Sequence, residues 1–535
     1  MALRLFTAAS IAALMAGSAQ AEMVLHVLHT NDLHNRIEPI NKYDSTCDQE
    51  TQDAGECFGG VARVAAKVRE LRDKITSEGG NVVVLDAGDQ YQGSLFYTTY
   101  KGTDVAEFMT DIGYDAMSVG NHEFDDGPEG LAVLADGVEF PISSGNLDLS
   151  QSNVLKSRID DTVTLDVGGQ KIGIVSALAT DTPEISSPGP DVIVTDDIEA
   201  LKADVKTLTD QGVNKIIALT HVGYLRDQEI AREVPGIDAI IGGHSHTLLG
   251  EGEDAAGPYP TMVSGPDGVE VPVATAASYS RYLGHLILTF DDEGKLIKAE
   301  GKPILLDSSV PEDETIVARV KEMAAPIEEL RQKVVAETAA PIDGDRINCR
   351  ARECEMGDLV ADAMLDRVKN QGMSIAIANG GGLRASIAQG QVTMGDVYSV
   401  LPFQNTLATF RLKGADVVSA LENGASKYEE GAGRFAQVAG LKYTVDPSAE
   451  AGSRISEVMV RKDGGWSPID PAATYGVVSN NYMRAGGDGY SVFAANATDA
   501  YDFGPDLAQV LADYLAAQGA DYKPAMDGRI TVKGE

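Results

Sequence analysis

Histidine is scarce in this chain of 535 residues, eight in all. Five of the eight nevertheless stand in short clusters with carboxylate or amide neighbours. Asp32 and His34 form a D-x-H pair, and Asp89 closes "DAGD". Asn121 and His122 open "NHEFDDG", His221 ends "ALTH", and His244 and His246 share "GGHSHT". Taken singly, each cluster is compatible with a turn or a hydrogen-bonded core residue. As an ordered set they offer imidazole, carboxylate and amide donors in a number that suits two divalent ions rather than one. A carboxylate shared by both ions would hold them about 3.5–4 Å apart. Thiolates are absent from the set, which argues against a structural zinc cage.

A sheet must hold such a set together. "MVLHVLHT", "NVVVLDAGD", "DAMSVGNHEF", "KIGIVSALA", "NKIIALTHVG" and "IDAIIGGH" read as buried strands between Met23 and Phe290. Amphipathic runs at Val61–Ile75, Asp104–Ile112 and Asp196–Gln211 alternate with them, which predicts a layered α/β architecture. All of these strands except "KIGIVSALA" end in Asp, Asn or His. Carboxyl ends of strands converge on one edge of such a sheet, where ligands bind. His244 and His246, one residue apart on a segment read as extended, would point the same way. His26, His29 and His285 lie within apolar strand patterns and read as structural.

The length exceeds what one ordinary core holds, so at least two domains are expected. "EDETIVARVKEMAAPIEELRQKVVAE", Glu312 to Glu337, reads as a charged helix broken near Pro326 and as a linker over residues 312–340. The first domain then covers 22–311 and the second 341–535. In the second, "NGGGLR" offers Asn379, glycines that let backbone approach a ligand, and Arg384, which can grip an anion bidentately.

The formal charge of −38 is spread along the chain. Such a field repels nucleic acid and anionic membrane, so any anion site must carry local positive charge. The N-terminus reads as an export signal: Arg4, a short apolar run, then "SAQA" with cleavage near Ala21. No later segment reads as a membrane anchor, and the mature chain is expected in the periplasm or secreted. In an oxidising compartment Cys47 with Cys57 and Cys349 with Cys354 read as two short-loop disulfides. A four-cysteine zinc site is the competing reading, although neither pair has C-x2-C spacing.

The ordered motifs resemble those of the calcineurin-like metallophosphoesterases and, within them, the 5′-nucleotidase family. "LHTNDLH", "DAGDQYQGSLF", "VGNHEFDDG", "THVG" and "GGHSHT" match in order, as do "ECEMGDLVADAM", "NGGGLR", "VLPFQNTL" and "GGDGY". The likeness is strongest to the animal ecto-enzymes and the bacterial periplasmic 5′-nucleotidase/UDP-sugar hydrolases. It implies a four-layer αββα domain followed by a mixed α/β domain that binds the nucleotide. One ion would be held by Asp32, His34, Asp89 and His246. The other would be held by Asp89, Asn121, His221 and His244, with Asp89 bridging. Zinc is the family expectation, and manganese or iron would also fit. His122 and Asp125 would form a catalytic dyad. Arg350 joins Asn379 and Arg384 at the anion, Phe403 and Tyr482 sandwich the base, and Asp488 binds the ribose. Tyr482 stands where the animal enzymes have Phe, and His246 where they have an amide.

The resemblance implies an exported hydrolase of nucleoside 5′-monophosphates, with monomer and homodimer both compatible with the sequence. Hydrolysis of UDP-sugars, nucleoside di- and triphosphates or 2′,3′-cyclic phosphates is the alternative within the same chemistry. Thiosulfohydrolases share the fold but not the base sandwich. A non-enzymatic nucleotide-binding surface protein is the alternative of another class.

Overall fold

The computed structural model describes residues 22–534 apart from 43, 48, 253, 254, 267, 463 and 503. The signal segment expected at Met1–Ala21 lies outside the described residues. Two six-stranded sheets stack in the first domain. One runs in the order Leu296–Leu305, Tyr282–Phe290, Met23–Thr30, Asn81–Asp86, Ala116–Ser118, Ile142–Ser143. The other runs Thr261–Ser264, Glu270–Ala274, Ala239–Gly242, Ile216–His221, Gln170–Leu178, Thr162–Val167.

Strand periodicity decides what fills each layer. Leu25, Val27, Val83 and Leu85 point between the sheets and meet Ile172, Ile174, Ile217 and Leu219. Their chain neighbours Leu28 and Val84 point outward, against the helices Val61–Ser77 and Thr103–Ile112. Both faces are therefore buried, which is why these strands read as unbroken apolar runs. Helices Asp197–Asp210 and Tyr224–Glu233 cover the second sheet, completing four αββα layers. The central strands of each sheet are parallel, so their carboxyl ends share an edge.

The expected linker divides differently. Glu314–Ala324 is a helix capped by Asp313, and its Ile316, Val320 and Met323 pack into the first domain's outer core. Pro326 sits in the turn Ala325–Ile327, and a short helix ends at Arg331. Beyond it the helical expectation fails. Val334–Thr338 is a strand, antiparallel to Gly390–Thr393 and so part of the second domain. Consecutive β-branched residues, Val334 and Val335, favour the strand once a partner edge exists.

The second domain centres on a five-stranded sheet, ordered Ala436–Ala439, Ile375–Asn379, Thr474–Asn480, Leu407–Lys413, Thr498–Tyr501. Helices Glu355–Val368 and Leu507–Gln518 pack on one face and Gly414–Gly424 on the other. Cys47 is bonded to Cys57 and Cys349 to Cys354, which removes the four-thiolate zinc alternative. Among the described residues no helix is long and apolar enough to cross a membrane.

Each bridge closes a short loop, and loops of this length stabilise by about 2–3 kcal/mol through the unfolded chain. Replacing Cys349 and Cys354 by Ser should therefore lower the calorimetric melting temperature of the second domain. An unchanged melting temperature would contradict this.

Candidate active site

The shared sheet edge gathers the chemistry. Asp32 and His34 follow Met23–Thr30, Asp89 follows Asn81–Asp86, and Asn121 and His122 follow Ala116–Ser118. His221 ends its strand, and His244 and His246 follow Ala239–Gly242. Three ligand groups form within 4.8 Å: Asp32, His34 and His246; Asp89, His221 and His244; and His34, Asp89 and His122.

His244 and His246 do not lie on an extended segment. Both have left-handed backbones, φ 75° and 56°, as do Asp32 at 53°, His34 at 49° and Asp89 at 58°. The two rings accordingly part. His246 Nε2 turns to His34 Nε2 at 3.0 Å and Asp32 Oδ1 at 3.3 Å. His244 Nδ1 lies 2.8 Å from Asn121 Oδ1, with its ring edge-on to His221. Each left-handed non-glycine residue costs about 1 kcal/mol or more, so surrounding bonds must impose it.

Those bonds are specific. Asp32 N donates to Gly88 O, His34 N to Asp89 O and Asn35 N to Gln90 O, which zips the first two loops together. Glu123, fully buried, accepts from the backbone N–H of Asp89 (3.0 Å), Gln90 (2.8 Å), Tyr91 (3.2 Å) and Gly120 (2.7 Å). A Cβ at Gly120 would stand 2.3 Å from Asp89 N and 2.4 Å from its Oδ1, so only glycine fits against the Asp89 loop.

The donor set fits metal ions. His221 Nδ1 donates to the Ala87 carbonyl at 2.6 Å, which leaves Nε2 a bare lone pair. That atom is buried without a hydrogen-bond partner, 3.1 Å from Asp89 Oδ2. His34 Nδ1 likewise donates to Tyr91 O, which leaves its Nε2 an acceptor facing His246 and Arg384. A cation is what such convergent lone pairs and carboxylates lack.

His122, in the third of these groups, is engaged differently. Its Nδ1 donates to Asp125 Oδ2 at 2.6 Å, and its Nε2 lies 4.0 Å from Asp89 Oδ2. Burial opposes protonation of this imidazole, but Asp125 and Asp89 outweigh it and raise the pKa. The Phe403 ring, from the second domain, stacks 5.7 Å from it.

The cleft between the domains encloses a cavity of about 910 Å³ that takes in Asn121, His122, Asp125, His244 and His246. From the second domain Arg350, Asn379, Arg384, Phe403, Tyr482 and Asp488 line it. Arg384 donates to His34 Nε2 at 3.0 Å and lies over the Phe403 ring. Asn379 donates to Asp488 Oδ2 at 2.6 Å and accepts from Asn480 at 3.0 Å. The Tyr482 hydroxyl is engaged: it donates to Asp488 Oδ1 and accepts from Asp488 N. Asp32, His34 and His221 sit deeper, fully buried beneath this surface.

Four residues of the site escaped the sequence reading: Glu123, Arg36, Arg346 and Tyr279. Arg36 is buried under the Tyr279 ring at 4.9 Å, its Nε and Nη2 without partners. Arg346 lines the cleft and donates to the His244 carbonyl at 3.3 Å. Burial and the neighbouring Arg384 push the Arg346 guanidinium down to about 10. The available signals were Arg36 two residues after His34, and Arg346 one helical turn before Arg350. Tyr279 carried no motif; its ring lies 5.3 Å from His246 and 5.6 Å from His34. His26 pairs with His285 and His29 with Tyr259, away from the edge.

Known proteins share these features. Residues 25–248 match the family model described as calcineurin-like phosphoesterase, and 334–495 match 5′-nucleotidase, C-terminal domain. A 5′-nucleotidase of Bos taurus is 38% identical over 95% of this chain and 90% of that protein. The crystal structure of a 5′-nucleotidase precursor from Thermus thermophilus is 40% identical, with a TM-score of 0.90 over 96% of this chain and 100% of the other. A sulfate thiohydrolase from Thermus thermophilus is 20% identical, with a TM-score of 0.78 over 96% of this chain and 97% of the other, a likeness of fold alone.

Gly120→Ala tests the metal fit. The added methyl should displace Asp89 and empty the site, so zinc or manganese binding by calorimetry should fall more than about tenfold, on the scale of lost supporting contacts. Equal affinity in variant and parent would rule out this role for Gly120.

Proposed function

Because the chain belongs to the 5′-nucleotidase family of calcineurin-like phosphoesterases, we propose that it hydrolyses nucleoside 5′-monophosphates to nucleoside and phosphate. The observation that carries this reading is the under-partnered arginine cluster of an acidic protein, placed over the His and Asp set. Arg36, Arg350 and Arg384 are buried, and Arg346 is half-buried beside them. Burial, with Arg346 and Arg384 close by, holds the Arg350 guanidinium well below its usual value. Unpaired buried cations are costly, and an incoming phosphate relieves that cost.

Asp32, His34, Asp89 and His246 would hold one divalent ion, and Asp89, Asn121, His221 and His244 the other. Zinc is the ion these histidine-rich sets suit best, with manganese or iron also accommodated. When bound, the ions polarise the phosphoryl oxygens and activate a water nucleophile near neutral pH. The chain's own groups do the rest. Arg350, Arg384 and Asn379 orient the phosphoryl group. His122, held by Asp125 through Nδ1, presents Nε2 to the cleft to stabilise charge on the transferring group and protonate the leaving oxygen. Phe403 and Tyr482 hold the base, and Asp488 accepts from the ribose hydroxyls. The two disulfides support export through the segment ending near Ala21.

A second reading, hydrolysis of UDP-sugars or nucleoside di- and triphosphates, is favoured by the cavity of about 910 Å³, near the upper end of ligand-cleft volumes.

Hydrolysis of AMP, UDP-glucose, ATP and 2′,3′-cyclic AMP should be followed by chromatography of the nucleotide products, with and without chelator. AMP should be the best substrate, and chelator should abolish turnover. No chelator-sensitive activity on any of the four refutes the enzyme. His122→Ala should reduce kcat by about 10²–10⁴-fold with little change in KM. Phe403→Ala should raise KM for AMP about tenfold through lost stacking while sparing p-nitrophenyl phosphate. His246→Asn should weaken one of the two ions, read as metal bound per chain by mass spectrometry. Two tightly held ions in that variant would contradict the assignment.

A further inference from the structure

The segment Asp181–Ser186, "DTPEIS", belongs to neither the expected ligand set nor the nucleotide contacts. It nonetheless lines the same cleft as His122. Thr182–Ile185 forms one short helical turn that packs on Gly487–Gly489, the second-domain turn carrying Asp488. At its start, the Asp181 carboxylate pairs with Lys427 of the second domain, Nζ to Oδ2 2.5 Å. At its end, the Ser186 hydroxyl donates to Asp125 Oδ1 at 2.8 Å.

The last contact bears on the dyad. Asp125 Oδ2 is taken by His122 Nδ1 at 2.6 Å, so the two carboxylate oxygens each hold one donor. A carboxylate torsion is broad, and one hydrogen bond leaves its plane free to turn. A second donor on the other oxygen fixes the plane, and through it the direction in which His122 Nε2 points. The backbone does not need this hydroxyl: Ser186 N already donates to Thr182 O and closes the turn.

We propose that Ser186 is a positioning residue for the His122–Asp125 pair, held in place from the second domain by the Asp181–Lys427 ion pair. The proposal rests on the phosphoester-hydrolase reading, in which His122 acts at the leaving oxygen. It gives this short segment a role in transmitting the second domain's position to the catalytic imidazole. Misaimed by a fraction of an ångström, that imidazole would bind substrate normally and turn it over slowly.

The test uses the full chain with both metals, AMP and p-nitrophenyl phosphate as substrates, and Ser186→Ala, Ser186→Thr, Lys427→Ala and the Ser186→Ala/Lys427→Ala double variant. Ser186→Ala should lower kcat about tenfold on both substrates with KM within about twofold, the split expected of lost alignment. Ser186→Thr, which keeps a hydroxyl, should stay within about threefold of the parent, and melting temperatures should be unchanged. Lys427→Ala should lower kcat on AMP severalfold, and the double variant should be no slower than Ser186→Ala alone. A Ser186→Ala kcat within about twofold of the parent, or a loss confined to KM, overturns the positioning role. Independent, multiplying losses in the double variant overturn the link to Lys427. A parent that cleaves p-nitrophenyl phosphate but not AMP refutes the nucleotide reading, while the Ser186 comparison still stands on the simple ester.

Discussion

Glu123 is the constraint on which the rest of the site depends. Its carboxylate is completely buried and accepts four backbone N–H groups, three from the Asp89–Tyr91 loop and one from Gly120. Burial pushes the Glu123 carboxyl up to about 7, and its hydrogen bonds, at about 1 kcal/mol or more each, are on the scale of a left-handed residue's strain. The same four bonds therefore offset two liabilities, the burial of a carboxylate and the left-handed turn at Asp89. From Asp89 the order spreads outward. His34 and Asn35 bond to the carbonyls of that loop, His122 N donates to Asp89 Oδ1, and Asp89 Oδ2 meets His221. Imidazoles, carboxylates and amides thereby sit in one hydrogen-bonded frame.

The second domain solves a different problem, that of bringing an anion to a chain of charge −38. Its answer is local. Arg346 precedes the loop closed by Cys349 and Cys354, Arg350 lies within it, and Arg384 follows the glycine turn after Ile375–Asn379. Burial makes these cations costly to keep charged, and their mutual proximity adds to that cost, so a negative partner stabilises them. The cleft residues Asn379, Tyr482 and Asp488 are organised by polar bonds among themselves, Asn480 to Asn379 to Asp488 to Tyr482. A ring that the sequence suggests only as a stacking surface thus also fixes the carboxylate beside it.

The strands, their order along the chain and the Asp, Asn and His residues at their ends were legible because each leaves a local pattern. Apolar runs mark strands buried on both faces, and polar residues at their ends mark the sheet edge. Three things were not legible. Val334–Thr338 reads as helix because it follows a helical run, and only its pairing with Gly390–Thr393 makes it a strand. The backbone at His244 and His246 reads as extended, whereas both residues are left-handed; the division of their rings between two groups was expected only from the family resemblance. Glu123 and Tyr279 left no functional signal, since one works through backbone amides and the other through ring contacts.

By itself the sequence determined which donor and cationic residues the chain offers and on which strand ends the His, Asp and Asn residues lie, because side-chain chemistry and strand periodicity are local properties. Tertiary structure alone decided how those residues meet. Folding brought Glu123 under the Asp89 loop, set Arg36 beneath Tyr279 and Arg346 against His244, and laid Asp181–Ser186 between Lys427 and Asp125. These partners are separated by up to hundreds of residues, and only the closed packing of two domains fixes their distances.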